Sequence, residues 1–421
     1  MLNVNHALET VIARTPAPPP EAARPVPLLQ CMGRFLAQDV RSGLDLPPFS
    51  RSTMDGFAVR SLDVAEGSGL ELPRRVIGES AAGSPARVAV GPGEAVRIFT
   101  GGMVPAGADA VIQVELTEED AAGVRLLEEV RCGRNIAVQG EDLKRSDLAL
   151  SAGVLLTAGH LGLCAAIGRT ELPLFPPPRV GILSTGSELV PPGGTLKAGA
   201  IYESNGAMLA ALTQRYLGEV VSLGHVGDEK EVIRERASRG LECDLFLLSG
   251  GSSVGDYDYT PKVLEELGVE VLFDKLALKP GKPTIFGIGR KRGVAQGCAV
   301  FGLPGNPISA YVVFHLLVRP ALIRLAGGGA FRPPLVPAVL ENPAPGNATR
   351  DQVLPAVLRL DGREFKVAFS GWHGSGDLTC LKLPNALLMV PRGREGLASG
   401  ARVNVLPTEG GAPEGPGGYF G

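Results

Sequence analysis

The strongest constraint on this chain lies between Val180 and Gly328, where apolar runs alternate with amphipathic stretches across short loops. VGILSTG, EVVSLGHV and DLFLLSGG read as strands, and SNGAMLAALTQRYLG, DEKEVIRERASRG and TPKVLEELG read as helices. VEVLFDKLAL and CAVFGLPG add strands ahead of a long helix, NPISAYVVFHLLVRPALIRLAG. Such alternation predicts a doubly wound α/β domain with a mostly parallel sheet and helices on both faces. The continuous apolar runs ILS, LFLLS and AVFGL fit strands buried on both sides.

In this architecture ligands bind outside the carboxyl ends of the strands. Four strand-end loops are therefore of interest: STGSEL with Glu188, VGDEKE with Asp228, SGGSSVGDYDYT with Asp256 and Asp258, and GLPGNP with Pro304 and Pro307. The glycine-rich segment Ser249, Gly250, Gly251, Ser252, Ser253, Val254, Gly255 reads either as a tight turn or as a phosphate cradle of backbone N–H groups and hydroxyls. Asp228 has two readings, because Glu231 three residues on also makes a capping box. Thr260 is expected to cap the following helix with Pro261 at its first position, leaving Asp258 free. Glu188, Asp228 and Asp258 facing a phosphate loop suit a bridging Mg²⁺, which offsets their like charges; the alternative is three solvated loop acids. In FDKLALKPGKP, Lys275 and Lys279 are four apart, so on one strand they share a face, with Lys282 after a Pro-Gly turn; this suggests oxyanion binding.

The flanks read differently. Asn5–Arg14 suggests a short helix with Asn5 as N-cap, Thr15–Pro27 a stiff proline-rich connector, and Leu28–Gln38 a second short helix. Short runs punctuated by Gly, Pro and Asp from Ser42 to about Ser151 predict a β-rich module, and DLPPFSRSTMDGFAV within it places Asp55 on a turn. Gly153–Ile167 reads as a buried helix and Glu171–Arg179 as a hinge. Beyond Phe331, alternating runs predict a compact all-β module, followed by a disordered tail at 409–421.

Composition narrows the function. Lys+Arg 41 against Asp+Glu 44 gives a net charge of −3, which excludes a strongly basic nucleic-acid or membrane-surface binder. The six cysteines never approach a CxxC spacing and the five histidines contain no HExxH, arguing against zinc, dithiol redox or a disulfide framework and for reduced cytoplasmic thiols. The N-terminus has no signal-peptide pattern, and the apolar stretch Ile308–Val318 is too short to span a bilayer.

Taken together, LPPFSRSTMDGFAV, FTGGMVPAGADAVIQVE, GRNIAVQGEDLKRSD, GILSTGSELV, IYESNGAML, LLSGGSSVGDYDYT, LALKPGKP, FGLPGNPISA and GWHGSGD resemble, in this order, the molybdopterin molybdenumtransferase family, which includes the E-domain of gephyrin. The resemblance implies a multidomain, elongated subunit. Its parts would be an N-terminal domain from 1–44 and 146–178, an inserted β-rich domain at 45–145, an α/β molybdopterin-binding domain at 179–328 and a β-barrel at 329–408. It implies a cytoplasmic homodimer whose cleft takes the second domain from the other subunit. The implied reaction inserts molybdate into adenylylated molybdopterin with Mg²⁺-dependent release of AMP. Transient contact with molybdopterin adenylyltransferase and acceptor molybdoenzymes would follow, with neither nucleic acid nor membrane as partner.

Position by position, the resemblance assigns Asp55, Thr100 and Asp142 to functional residues of the inserted domain. It assigns Glu188, Asp228 and Asp258 to adenylate and Mg²⁺ handling, Lys275 and Lys279 to molybdate, and Pro304 and Pro307 to the shaping of the nearby loop. Arg350 and Ser375 match fourth-domain contributors to the oxyanion pocket. A second family arginine falls here at Pro355, and SGGSSVG replaces the Gly-Gly-Thr-Gly of related adenylyltransferases, favouring insertion over adenylylation. The rival readings are the adenylyltransferase itself, a receptor scaffold of the gephyrin kind, and a nucleotide hydrolase on the same fold. β-modules on both sides argue against the first, and the lack of an extra domain or long linker against the second.

Overall fold

The computed structural model describes residues 1–63, 70, 72–250, 259–291 and 296–408. They form two compact units, one spanning Pro25–Pro173 and the other joining Met1–Arg24 to the chain from Leu174 onward.

In the larger unit, six strands form one sheet: β1 (Arg179–Thr185), β2 (Glu219–Val226), β3 (Leu245–Ser249), β4 (Glu270–Phe273), β5 (Ile285–Gly289) and β6 (Cys298–Leu303), in the order β2-β1-β3-β6-β5-β4. The first four in that order run parallel, and β5 is antiparallel to both neighbours. Strand β3 shows why its sequence is apolar throughout. Leu245 and Leu247 enter a core with α1 (Asn205–Arg215) and the long helix, while Phe246 and Leu248 enter a second core with α2 (Lys230–Gly240) and α3 (Thr260–Glu266). The expectation of a sheet covered on both faces is therefore met.

The long helix α4 (Pro307–Leu325) is, by length and composition, able to cross a membrane, so the expectation that it was too short does not hold; 89% of its apolar window is nevertheless buried inside the protein. It contains a π-helical turn at Phe314–Val318. Against it packs the N-terminal helix, which runs Val4–Arg14 and contributes Val4, Ala7 and Val11 to the core. The N-cap is Asn3, whose side chain accepts the Asn5 N–H, so the expected cap is displaced by two residues.

Residues 336–407 close into a five-stranded barrel of β7 (Val336–Leu340), β8 (Asp351–Asp361), β9 (Glu364–Phe369), β10 (Ala386–Val390) and β11 (Arg402–Pro407), paired in the cycle β8-β9-β7-β11-β10-β8. Closure leaves none of these strands with an open edge. A two-residue strand, Leu278–Lys279, pairs in parallel with Asp351–Gln352 and ties barrel to α/β module.

The unit Pro25–Pro173 centres on a four-stranded sheet ordered Arg75–Ser80, Glu94–Ile98, Gly56–Val59, Ala110–Gln113. Its central strand buries Phe57 and Val59 in one cluster and Ala58 in another. Three expectations here are corrected. Leu28–Gln38 holds only a single 3₁₀ turn at Leu28–Gln30, consistent with its short apolar repeat. The helix within Gly153–Ile167 is Ala158–Ala166, capped by Thr157, and Cys164 is its only buried residue. Glu171–Leu174 is a strand, and the division between the units falls inside it.

Candidate functional site

A cleft of about 680 Å³ opens at the carboxyl ends of β1, β2, β3 and β6. Glu188, Asp228, Ser249, Gly250, Pro304 and Pro307 all line it. The parallel strands bring these loops together although they lie far apart in sequence.

Hydrogen bonds stitch the loops to one another. Asp228 Oδ2 accepts the Ser187 N–H at 3.1 Å, and Ser187 Oγ accepts the Asp228 N–H at 3.2 Å. Helix α2 begins at Lys230 with Glu229 as N-cap and no side-chain cap bond, so the capping reading of Asp228 is set aside. The Asp228 carboxylate instead fixes the loop that carries Glu188. Among the described residues, the Glu188 carboxylate makes no hydrogen bond or ion pair. Gly250 accounts for a glycine at the third strand end. Its φ is +102°, and a Cβ there would stand 2.1 Å from the Thr185 carbonyl oxygen.

The sequence reading missed a second layer of polar residues on the segment into α1. Glu203 Oε1 accepts from Ser184 Oγ at 2.9 Å and from the Gly206 N–H at 2.6 Å. Asn205 Nδ2 donates to Ser249 Oγ at 2.7 Å and to the Gly305 carbonyl at 2.8 Å, joining three loops. Asn205 Oδ1 and Thr185 Oγ1 are buried without a hydrogen-bond partner among the described residues. Buried polar atoms of this kind need a hydrogen-bond partner beyond those among the described residues: a donor for Asn205 Oδ1, a donor or acceptor for Thr185 Oγ1. IYESNG already stood out as a motif, but without the fold nothing aimed its side chains at the other loops.

Gly376 and Leu378, from the turn between β9 and β10, line this cleft; Ser375 precedes them and is not itself among the lining residues. Ser375 Oγ accepts from Asn306 Nδ2 at 2.8 Å and its carbonyl accepts the Ile308 N–H at 3.1 Å. The turn presenting it is held by Asp377, whose carboxylate accepts the Thr379 hydroxyl and both the Thr379 and His373 N–H groups. The Thr379 and His373 hydrogen bonds push its pKa down to about 2.

Lys275, Lys279 and Arg350 are not among the lining residues. Strand β4 ends at Phe273, so the two lysines do not share one strand face; Lys279 belongs to the separate pairing with the barrel. Lys275 is exposed and 3.6 Å from Asp274, whereas Lys279 is half-buried. Arg350 adjoins Asp351, whose N–H meets the Ala277 carbonyl, so Lys279 and Arg350 flank one junction. Pro355 is buried in β8 opposite Leu387.

In the other unit, Asp55 Oδ1 accepts both the Thr100 hydroxyl and the Thr100 N–H at 2.7 Å. These bonds hold the Asp55 carboxyl below its ordinary value. Asp142 is exposed on a different loop, its N–H bonded to the Leu46 carbonyl. Asp256, Asp258, Gly251, Ser252, Ser253 and Gly255 lie outside the described residues, as does the tail at 409–421. Thr260 is the first helical residue of α3, after Tyr259 as N-cap, rather than the cap expected.

Three family models cover the chain: "MoeA N-terminal region (domain I and II)" over residues 2–168, "Probable molybdopterin binding domain" over 181–324, and "MoeA C-terminal region (domain IV)" over 337–408. Molybdopterin molybdenumtransferase of Staphylococcus epidermidis is 34% identical over 385 residues, 90% of each chain. That of Bacillus subtilis is 34% identical over 412 residues, 93% of this chain and 94% of its own. The chain belongs to the molybdopterin molybdenumtransferase family. It is an enzyme of that type, and its fold matches the molybdopterin biosynthesis MoeA protein of Pyrococcus horikoshii with a TM-score of 0.81 at 34% identity, covering 97% of this chain and 99% of that one.

For a transferase of this family, the Mg²⁺ suggested by the sequence can be tested on the donor set. Among the described residues there is no group of three His, Cys, Asp or Glu side chains placed to hold a metal. Glu188 and Asp228 do supply two hard carboxylate donors on one cleft, one of them free of hydrogen bonds. Mg²⁺ is commonly held by one or two carboxylates together with substrate phosphates and water, so the pair fits.

Proposed function

We propose that the α/β cleft takes adenylylated molybdopterin and that molybdate is inserted there with Mg²⁺-dependent release of AMP, giving molybdenum cofactor. The observation that carries this reading is the convergence of Glu188 and Asp228 with Ser249 and Gly250 at the strand ends. Glu188 and Asp228, with Asp258 from the same glycine loop, would hold the cation. When bound, Mg²⁺ would neutralise phosphate charge and polarise the bond to the leaving AMP.

The chain's own groups account for the rest. The glycine- and serine-rich sequence of segment 249–255 would suit a cradle for the phosphates. Asn205 fixes Ser249 Oγ as an acceptor, which leaves the serine hydroxyl hydrogen free to donate. Lys279 and Arg350 supply cationic donors to the molybdate dianion from the barrel junction, with Lys275 more exposed. Ser375, hydrogen-bonded to the lining residue Asn306, would supply a hydroxyl beside the cleft, and Pro304 and Pro307 would stiffen the neighbouring loop. Asp55, Thr100 and Asp142 would act from the partner copy of a homodimer. The setting would be cytoplasmic, with substrate received from molybdopterin adenylyltransferase and product passed to acceptor molybdoenzymes.

The direct test incubates purified protein with adenylylated molybdopterin, Mg²⁺ and molybdate. AMP and active cofactor should appear together and only with all three present. AMP release without cofactor would replace this reading with a nucleotide hydrolase. Assembly is tested by mixing Asp55→Ala with Asp228→Ala subunits. Partial recovery is expected, because one complete cleft forms per heterodimer; no recovery in verified heterodimers would place both residues in the same subunit's cleft.

A further inference from the structure

One ring at the cleft has no place in the scheme above. Tyr202 is the only aromatic residue among the described residues that line the cleft, and 45% of it is exposed. An exposed aromatic ring beside a polar cleft would ordinarily be mobile, but here it is fixed at both ends. Its hydroxyl donates to the Gly194 carbonyl at 3.0 Å, and Gly194 itself closes a turn by donating its N–H to the Pro191 carbonyl. Its backbone sits in a two-residue strand, Ile201–Tyr202, paired in parallel with Leu189–Val190. The flanking bonds run from the Ile201 N–H to the Glu188 carbonyl and from the Glu203 N–H to the Val190 carbonyl. The ring is thus carried on the same clip as Glu188 and Glu203.

We infer that the face of Tyr202 is the stacking platform for a planar fused nitrogen heterocycle of the substrate. This rests on the substrate reading given above and adds what holds the ring system, which neither the acids nor the phosphate loop can do. A pinned aromatic ring loses little conformational freedom on binding, and a stacked heterocycle gains from both surface burial and ring electrostatics. The substrate proposed above contains two such ring systems, the pterin and the adenine, and the same stacking chemistry serves either.

Three stable probes separate the possibilities in titrations of the full chain: pterin-6-carboxylate, AMP, and pyrophosphate, which has no ring. Tyr202→Leu should weaken at least one ring probe by about 5- to 150-fold, the equivalent of the ~1–3 kcal/mol of one stacked base, while pyrophosphate binding stays within about twofold. Tyr202→Phe, which keeps the ring and loses only the pin, should stay within about fivefold of the unaltered protein. Loss for pterin-6-carboxylate alone places the pterin on the ring, loss for AMP alone places the adenine there, and loss of both shows that they compete for one platform. Unchanged binding of both ring probes by Tyr202→Leu, or an equal loss of pyrophosphate, would overturn the inference and leave the substrate reading intact. Failure of the unaltered protein to bind any of the three would overturn the substrate reading and the inference with it.

Discussion

Two acidic corners of this molecule use the same side chain in opposite ways. At the α/β cleft, Glu188 keeps its carboxylate free of hydrogen bonds among the described residues, while neighbouring Asp228 spends one oxygen on the Ser187 N–H. In the β-rich unit, Asp55 gives one oxygen to two donors of a single residue, Thr100, and its proton affinity falls accordingly. The first corner leaves a carboxylate without a partner among the described residues, which is what the proposed cation site would need. The second is an acceptor whose carboxyl is held below its ordinary range by Thr100 and whose other oxygen is left to face outward partners. A carboxylate's neighbours, more than its position in a motif, decide which task it can perform.

The comparison breaks first at Asp228. Asp228→Asn keeps an acceptor for the Ser187 N–H, so the melting temperature should hold while molybdate-dependent AMP release falls by about 10²-fold or more, the scale of a lost electrostatic group. Glu188→Gln should behave alike. Activity near that of the unaltered protein in both would return these acids to a structural role.

The lysines sharpen the contrast between a half-buried and a solvated charge. Lys279→Ala should raise the molybdate concentration for half-maximal cofactor formation by about 10- to 150-fold, the worth of one charge-assisted hydrogen bond of ~1.5–3 kcal/mol. Lys275, 56% exposed in its side chain and beside Asp274, should matter less than about fivefold. Equal effects on affinity for adenylylated molybdopterin would move both lysines to the nucleotide phosphate.

Thr100→Val tests the second corner directly. Removing the hydroxyl and sparing the N–H should raise the Asp55 pKa toward its ordinary 3.8, as followed by carboxyl-carbon NMR across an acid titration. An unmoved titration would mean that the backbone bond alone sets it. The smallest effect is expected at Asp377, whose pKa is depressed to about 2 from an ordinary 3.8. A depressed carboxyl stabilises the fold above its unfolded value, and that contribution is lost as pH falls through the folded one. Asp377→Asn should therefore lower the melting temperature slightly at neutral pH, with the difference closing between about pH 4 and pH 2.

Much of this architecture was legible because periodicity reports burial. The β3 run LFLLS has no polar face, and the structure buries both of its sides. The strand-end rule then located Glu188, Asp228, Ser249, Gly250, Pro304 and Pro307 without any view of the side chains. What stayed hidden depended on contacts between segments remote in sequence. Asp228 looked like a cap because capping is local, whereas its partner Ser187 lies across the sheet end. Lys275 and Lys279 looked like one strand face because spacing alone cannot show that the strand stops at Phe273 and that the barrel takes over at Leu278. Glu203 and Asn205 escaped because their bonds join three loops at once.

The pairing of Leu278–Lys279 with Asp351–Gln352 also bears on how such a protein can be rebuilt. The junction is made by main-chain groups, the Asp351 N–H meeting the Ala277 carbonyl at 2.9 Å. The main-chain pairing does not depend on side-chain identity, but Val353, Leu387 and Leu406 of the barrel share a buried apolar core with Leu276 and Leu278, so that part of the joint does. A barrel exchanged between relatives should therefore dock correctly as long as the graft preserves strand register at 277–279 and 351–352 and the apolar residues of this shared core. A one-residue insertion on either side would turn every neighbouring side chain to the opposite face. For anyone assembling hybrid enzymes, indel placement around these few residues is the design rule to observe, ahead of any choice of surface residues.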